Sequence, residues 1–167
     1  MRVIFLDIDG VVNTFQLYKE PPTDIPKNEL KFIEGYYVDI CSSGQGRVSN
    51  IQAVTILDKL CHEFDLKIVL SSTWRLGHYD KTIEALRKSG LSEDIEIIGK
   101  TERLSSGHRG AEISKYLTEH PEIEDYIILD DDSFDLLGHG NHLFKTDTYT
   151  GLTFRDMMDI ENYFKKK

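Results

Sequence analysis

The sequence predicts an α/β fold, a three-layer sandwich built on a central parallel sheet of about five strands. Two observations predict it. Short, β-rich apolar runs alternate with segments of helical periodicity, and strand–helix repeats of that kind build a parallel sheet covered on both faces. The runs are also apolar almost without interruption, as strands buried on both faces must be.

Val3-Ile4-Phe5-Leu6 reads as the first strand and stops at Asp7. Residues 13 to 48 break the pattern. They hold Pro21, Pro22, Pro26 and several glycines, without clear periodicity. This segment reads as a flap-like insertion with a small hairpin over Phe32–Ile40 around Gly35, and not as a second domain. Val54, Leu57, Cys61 and Phe64 recur at helical spacing before the second strand, Lys67 to Leu70, which stops at Ser71-Ser72. Ile83, Leu86 and Leu91 mark the next helix, closed by Gly90. Ile95 to Ile98 reads as a weaker third strand. Ala111 to Leu117 reads as a helix stopped near Pro121. Tyr126 to Leu129 is the fourth strand and stops at Asp130-Asp131-Asp132; His142 to Phe144 is a short fifth. Asp156 to Phe164 reads as the last helix, and the Lys165-Lys166-Lys167 tail as a solvated end.

The 167 residues fit one domain, 1–167, and suffice to bury a core without staples. The net charge of −9 excludes a protein that coats extended nucleic acid, which needs a dense basic surface, but not one that grips a single phosphorylated end. Cys41 and Cys61 have no zinc-ligand spacing. The apolar run that opens the chain is too short, and too soon interrupted by carboxylates, for a signal peptide, and no stretch approaches a membrane span. The expected location is the cytoplasm, with no membrane partner.

Four groups carry candidate chemistry. Asp7 and Asp9 close the first strand in DIDGVVN, with Gly10 behind them. Turn preference alone explains an Asp-Gly pair, and the spacing fails the EF-hand pattern. Ser71 and Ser72 follow the second strand in LSSTWR, where serines also serve as helix caps. Trp74 there reads as a packing residue. Arg109 opens a helix in GHRGAEI. In ILDDDSFD three carboxylates follow an apolar strand, with Asp135 a turn further on, and so many like charges repel unless a cation joins them. In a parallel sheet these groups converge at the carboxyl ends of the strands, where ligands bind. Mg²⁺ suits an all-oxygen site, and Arg109 adds a second positive charge for a phosphate. His139 and His142 read as loop residues. Phe15, Tyr18, Tyr36 and Tyr37 lie in the flap, either pinning it or stacking a base.

In order, DIDGVVN, LSS, Arg109 and DDDSFD resemble the four motifs of the haloacid dehalogenase (HAD) superfamily, over residue 4 to about 135. The set, with the late TGLT, is similar to a small branch without a large cap, including HAD domains of RNA-repair proteins and phage-type phosphatases. The third motif usually carries Lys; here Arg109 takes its place, with Lys100 the alternative. The resemblance implies a Rossmann-like fold and a phosphomonoester hydrolase. Asp7 would be the nucleophile, Asp9 the acid and base, and Ser71, Ser72, Gly10 and Arg109 the phosphate site. Asp7, Asp131 and the Asp9 carbonyl would hold Mg²⁺, with Asp130 or Asp135 assisting or orienting Arg109. The implied partner is a phosphorylated substrate: a nucleotide, a nucleic-acid end or another phosphomonoester. A non-catalytic scaffold for a phosphorylated ligand, or a phosphotransferase, are the alternative readings.

Overall fold

A computed structural model describes residues 1–14, 17–18, 20–21, 30–33, 36–39, 48 and 50–166. Five strands form one all-parallel sheet: β1 (Arg2–Leu6), β5 (Leu66–Leu70), β6 (Ile97–Lys100), β7 (Asp125–Asp130) and β8 (Leu143–Lys145), in the order β6-β5-β1-β7-β8. Three helices lie between its strands, α1 (Ile51–Phe64), α2 (Arg75–Lys88) and α3 (Arg109–Glu119), and a fourth, α4 (Phe154–Lys165), follows β8. This is the expected Rossmann-like sandwich. Among the described residues no helix is long and apolar enough to cross a membrane.

β1 lies at the centre of the sheet, and Val3, Ile4, Phe5 and Leu6 are fully buried. Side chains alternate between faces. Ile4 and Leu6 pack with Leu57, Leu60, Ile160 and Phe164 of α1 and α4, while Val3 and Phe5 pack with Ile113 and Tyr116 of α3. Parallel pairing aligns Leu6 with Leu70 of β5 and with Leu129 of β7. The next residue along each path, Asp7, Ser71 and Asp130, therefore stands at the same level. That register carries three motifs to one rim.

Several boundaries differ from the sequence reading. The third strand begins at Ile97, two residues late, because Ile95 serves the core from the preceding loop. The second helix begins early, at Arg75, and is kinked at Leu76–Gly77–His78. α4 begins at Phe154, two residues early, where Thr153 and Asp156 form a reciprocal capping box. His139 is more than a loop residue: it is buried in a 3₁₀ turn, Leu137–His139, and bonds Tyr126, Ser114 and the Gly110 carbonyl.

In the insertion, β3 (Leu30–Ile33) pairs antiparallel with β4 (Tyr36–Asp39), as the hairpin reading expects. A further strand, β2 (Leu17–Tyr18), pairs on the other side of β4, giving the order β2-β4-β3. Phe15, Gly35, Ile40, Cys41 and Lys167, and the side chains of Tyr18, Tyr36 and Tyr37, lie outside the described residues.

Candidate active site

The loop after β1 folds back on itself. The N–H groups of Val11, Val12 and Asn13 all donate to the Ile8 carbonyl, and Gly10 donates to Asn13. This turn keeps Asp7 buried while Asp9 stays exposed. Gly10 has φ +72°, and a Cβ there would lie 2.3 Å from the Asp131 carboxyl carbon. Glycine is thus required both by the backbone and by the approach of Asp131.

Oxygens of Asp7, Asp130 and Asp131 lie within 4.8 Å of one another. Arg109 sits against two of them, with Nη1 donating to Asp130 Oδ2 at 2.5 Å and pairing with Asp7 Oδ2 at 3.1 Å. Asp135 reaches the same residue from the other side and accepts the Arg109 backbone N–H at 2.6 Å, which caps the start of α3. Thr148 donates to Asp131 Oδ2 at 2.6 Å. Both oxygens of Asp9 are held at 2.8 Å, one by the Asn13 amide and the other by the Trp74 indole N–H.

A cavity of about 300 Å³ opens at this cluster. Six carboxylates (Asp7, Asp9, Asp130, Asp131, Asp132 and Asp135) face two guanidiniums, Arg103 and Arg109. Burial raises the Asp7 carboxyl above its ordinary value, against the pull of Arg109. Burial and the neighbouring Asp7 charge raise Asp130 to about 6. Burial opposes the charge on Arg109, but Asp7 and Asp130 hold it above its ordinary value. Carboxylates so crowded ionise fully only beside a cation.

The donor set fits Mg²⁺. It is all oxygen, and oxygens sharing an ion at about 2 Å stand about 3 to 4 Å apart, so the three carboxylates need draw in by only about an ångström. Asp135 stands outside this trio, bound to the Arg109 amide. The Asp131 carboxylate is aimed by Thr148 and by the missing Cβ of Gly10.

Other candidates sit elsewhere. Ser71 and Ser72 are fully buried and do not line the cavity. The Ser72 hydroxyl supports the Asp7 carboxylate, while Ser71 Oγ has no hydrogen-bond partner among the described residues. Lys100 places its ammonium 4.8 Å from the Tyr79 ring centre, so Arg109 is the cation placed between the carboxylates. Sequence reasoning missed Thr73 and Arg103 as lining residues, and Thr148. It read Trp74 for packing alone, although a buried indole N–H needs an acceptor.

The five-stranded parallel sheet, with a carboxylate-rich site at the ends of its central strands, has the architecture of a HAD-superfamily domain. Residues 3–157 match the family described as the HAD domain in Swiss Army Knife RNA repair proteins, and the chain belongs to that family. No curated protein matches the chain.

Proposed function

We propose that this protein is a phosphomonoester hydrolase in which Asp7 attacks phosphorus. The observation that carries the proposal is the placement of Asp7: buried, within 4.8 Å of Asp130 and Asp131, and paired with Arg109. An Asp7 oxygen forms a bond to phosphorus as the bond to the leaving oxygen breaks, which gives an aspartyl phosphate. Asp9, aimed by Trp74 and Asn13, gives its proton to the leaving oxygen and then takes one from the water that attacks phosphorus, as the bond from phosphorus to Asp7 breaks and phosphate leaves. Arg109 offsets charge on the phosphoryl oxygens. Asp7, Asp131 and the Asp9 carbonyl would hold Mg²⁺, with Asp130 or Asp135 assisting; the ion would lower the repulsion between the carboxylates and the phosphate.

The family description, which names RNA repair, supports a nucleotide or nucleic-acid end as substrate. The chain is read as one domain over 1–167, with residues 13–48 as its insertion.

The test is Mg²⁺-dependent release of phosphate from an aryl phosphate and from 3′- and 5′-phosphorylated oligonucleotides. Asp7→Asn should abolish release. Undiminished turnover in that variant would remove Asp7 as the nucleophile.

A further inference from the structure

Beside the carboxylate cavity, on the β8 edge of the sheet, lies a second, open cavity of about 490 Å³. It is lined by Lys145, Thr146, Asp147, Thr150, Thr153, Arg155 and Asp156, and the charges here are unevenly engaged. Asp147 accepts the N–H groups of Tyr149 and Thr150, and Asp156 accepts the N–H and hydroxyl of Thr153. Both carboxylates are thus committed to holding the backbone. Lys145 and Arg155 are exposed and form no salt bridge among the described residues. Two such cations in one hollow stand out on a chain of net charge −9.

Two links join this hollow to the first. Register pairs Lys145 with Asp130, so the two residues stand one strand spacing apart, about 5 Å. The Thr146 hydroxyl donates to the Gly10 carbonyl at 2.7 Å, and Thr148, two residues on, bonds Asp131. Tyr149 and Phe154, in and next to the same loop, are 72% and 63% exposed.

We propose that Lys145 and Arg155 form a second anion site, which takes a further phosphate of the same substrate while Asp7 faces the terminal one. The inference rests on the phosphohydrolase reading and extends it. A substrate with one phosphate fills the carboxylate cavity alone. One with a neighbouring phosphate spans both, whether it is an end-phosphorylated oligonucleotide or a nucleoside bisphosphate. Paired cations of this kind add affinity for a phosphate without reading sequence.

The test compares wild type with Lys145→Ala/Arg155→Ala on three substrates: an aryl phosphate, a nucleoside 3′,5′-bisphosphate and a phosphorylated oligonucleotide. The ratio of kcat/KM for each of the two longer substrates to that for the aryl phosphate should fall about tenfold, mostly through KM. The salt slope of log kcat/KM for the oligonucleotide should lose about one to two units. Lys145→Arg/Arg155→Lys should restore both. A fall for the oligonucleotide alone, with the bisphosphate unchanged, would place the second phosphate along a strand and not within one nucleotide. Unchanged ratios for both, or a wild-type preference for a singly phosphorylated peptide, would overturn the proposal. If the wild type hydrolyses none of these, the phosphohydrolase reading fails by itself. Anisotropy of a labelled phosphorylated oligonucleotide then still reads the anion site: equal affinity in wild type and the alanine double variant would sink it.

Discussion

Arg75 and Glu112 form an ion pair at 2.5 Å in which each side chain is 1% exposed. Arg75 also donates to the carbonyls of Ser71, Ser72 and Thr101, and the second Glu112 oxygen accepts the Leu104 N–H. One buried pair thus fastens the exit of β5, the exit of β6 and the first turn of α3, three residues after Arg109. Removing one partner strands a charge that has no water to replace it, at a cost of about 3–5 kcal/mol. Arg75→Met and Glu112→Leu should each lose stability of that order in urea unfolding. The Arg75→Met/Glu112→Leu double variant should lose clearly less than the sum, and strict additivity would show that the two side chains act independently.

Gly10 decides whether Asp131 can reach the cluster. A methyl group there would meet the Asp131 carboxylate and would also strain a backbone at φ +72°. Gly10→Ala should fold, yet gain less in melting temperature than wild type when Mg²⁺ replaces a chelator. Asp131→Asn should lose that gain almost entirely. A wild type whose melting temperature ignores Mg²⁺ would count against the cation site itself.

In the proposed mechanism Trp74 positions Asp9 through one hydrogen bond. Trp74→Phe keeps most of the apolar bulk and removes the N–H. Turnover should fall about tenfold at nearly constant KM, the size expected when an acid–base group loses its aim. A variant that loses stability but keeps kcat would reduce Trp74 to packing.

The sheet was legible in the sequence because its strands are short apolar runs that stop at polar residues: Leu6 before Asp7, Leu70 before Ser71, Leu129 before Asp130. The carboxylates were legible for the same reason, since register alone brings the residues after aligned strands together. What supports them was not. Thr148 and Arg103 reach the site from loops, where no periodicity fixes direction. Arg75 gave no sign of its depth, because an arginine after LSSTW looks like an ordinary start of an exposed helix. The strand at Ile97–Lys100 slipped by two residues because Ile95 is as apolar as the strand residues it precedes.

His62, in the last turn of α1, ties that helix to the loop before β6. Its Nδ1 lies 2.9 Å from the Asp58 carbonyl and its Nε2 3.1 Å from Asp94 Oδ2. The Asp58 carbonyl first, and Asp94 next, raise the imidazole above its ordinary value, and His62 in turn lowers Asp94. A raised histidine stabilises the fold while it is charged. Its contribution is complete below the unfolded value and is lost as pH rises through the folded one. Asp94 adds its share only above the ordinary carboxylate range, so the pair works in the window between. Melting temperatures of wild type and His62→Gln should therefore differ most at about pH 5 to 6 and converge by about pH 8. The difference should shrink in high salt, since both groups face solvent. A gap that stays constant across this range would assign His62 a packing role in place of a charged one.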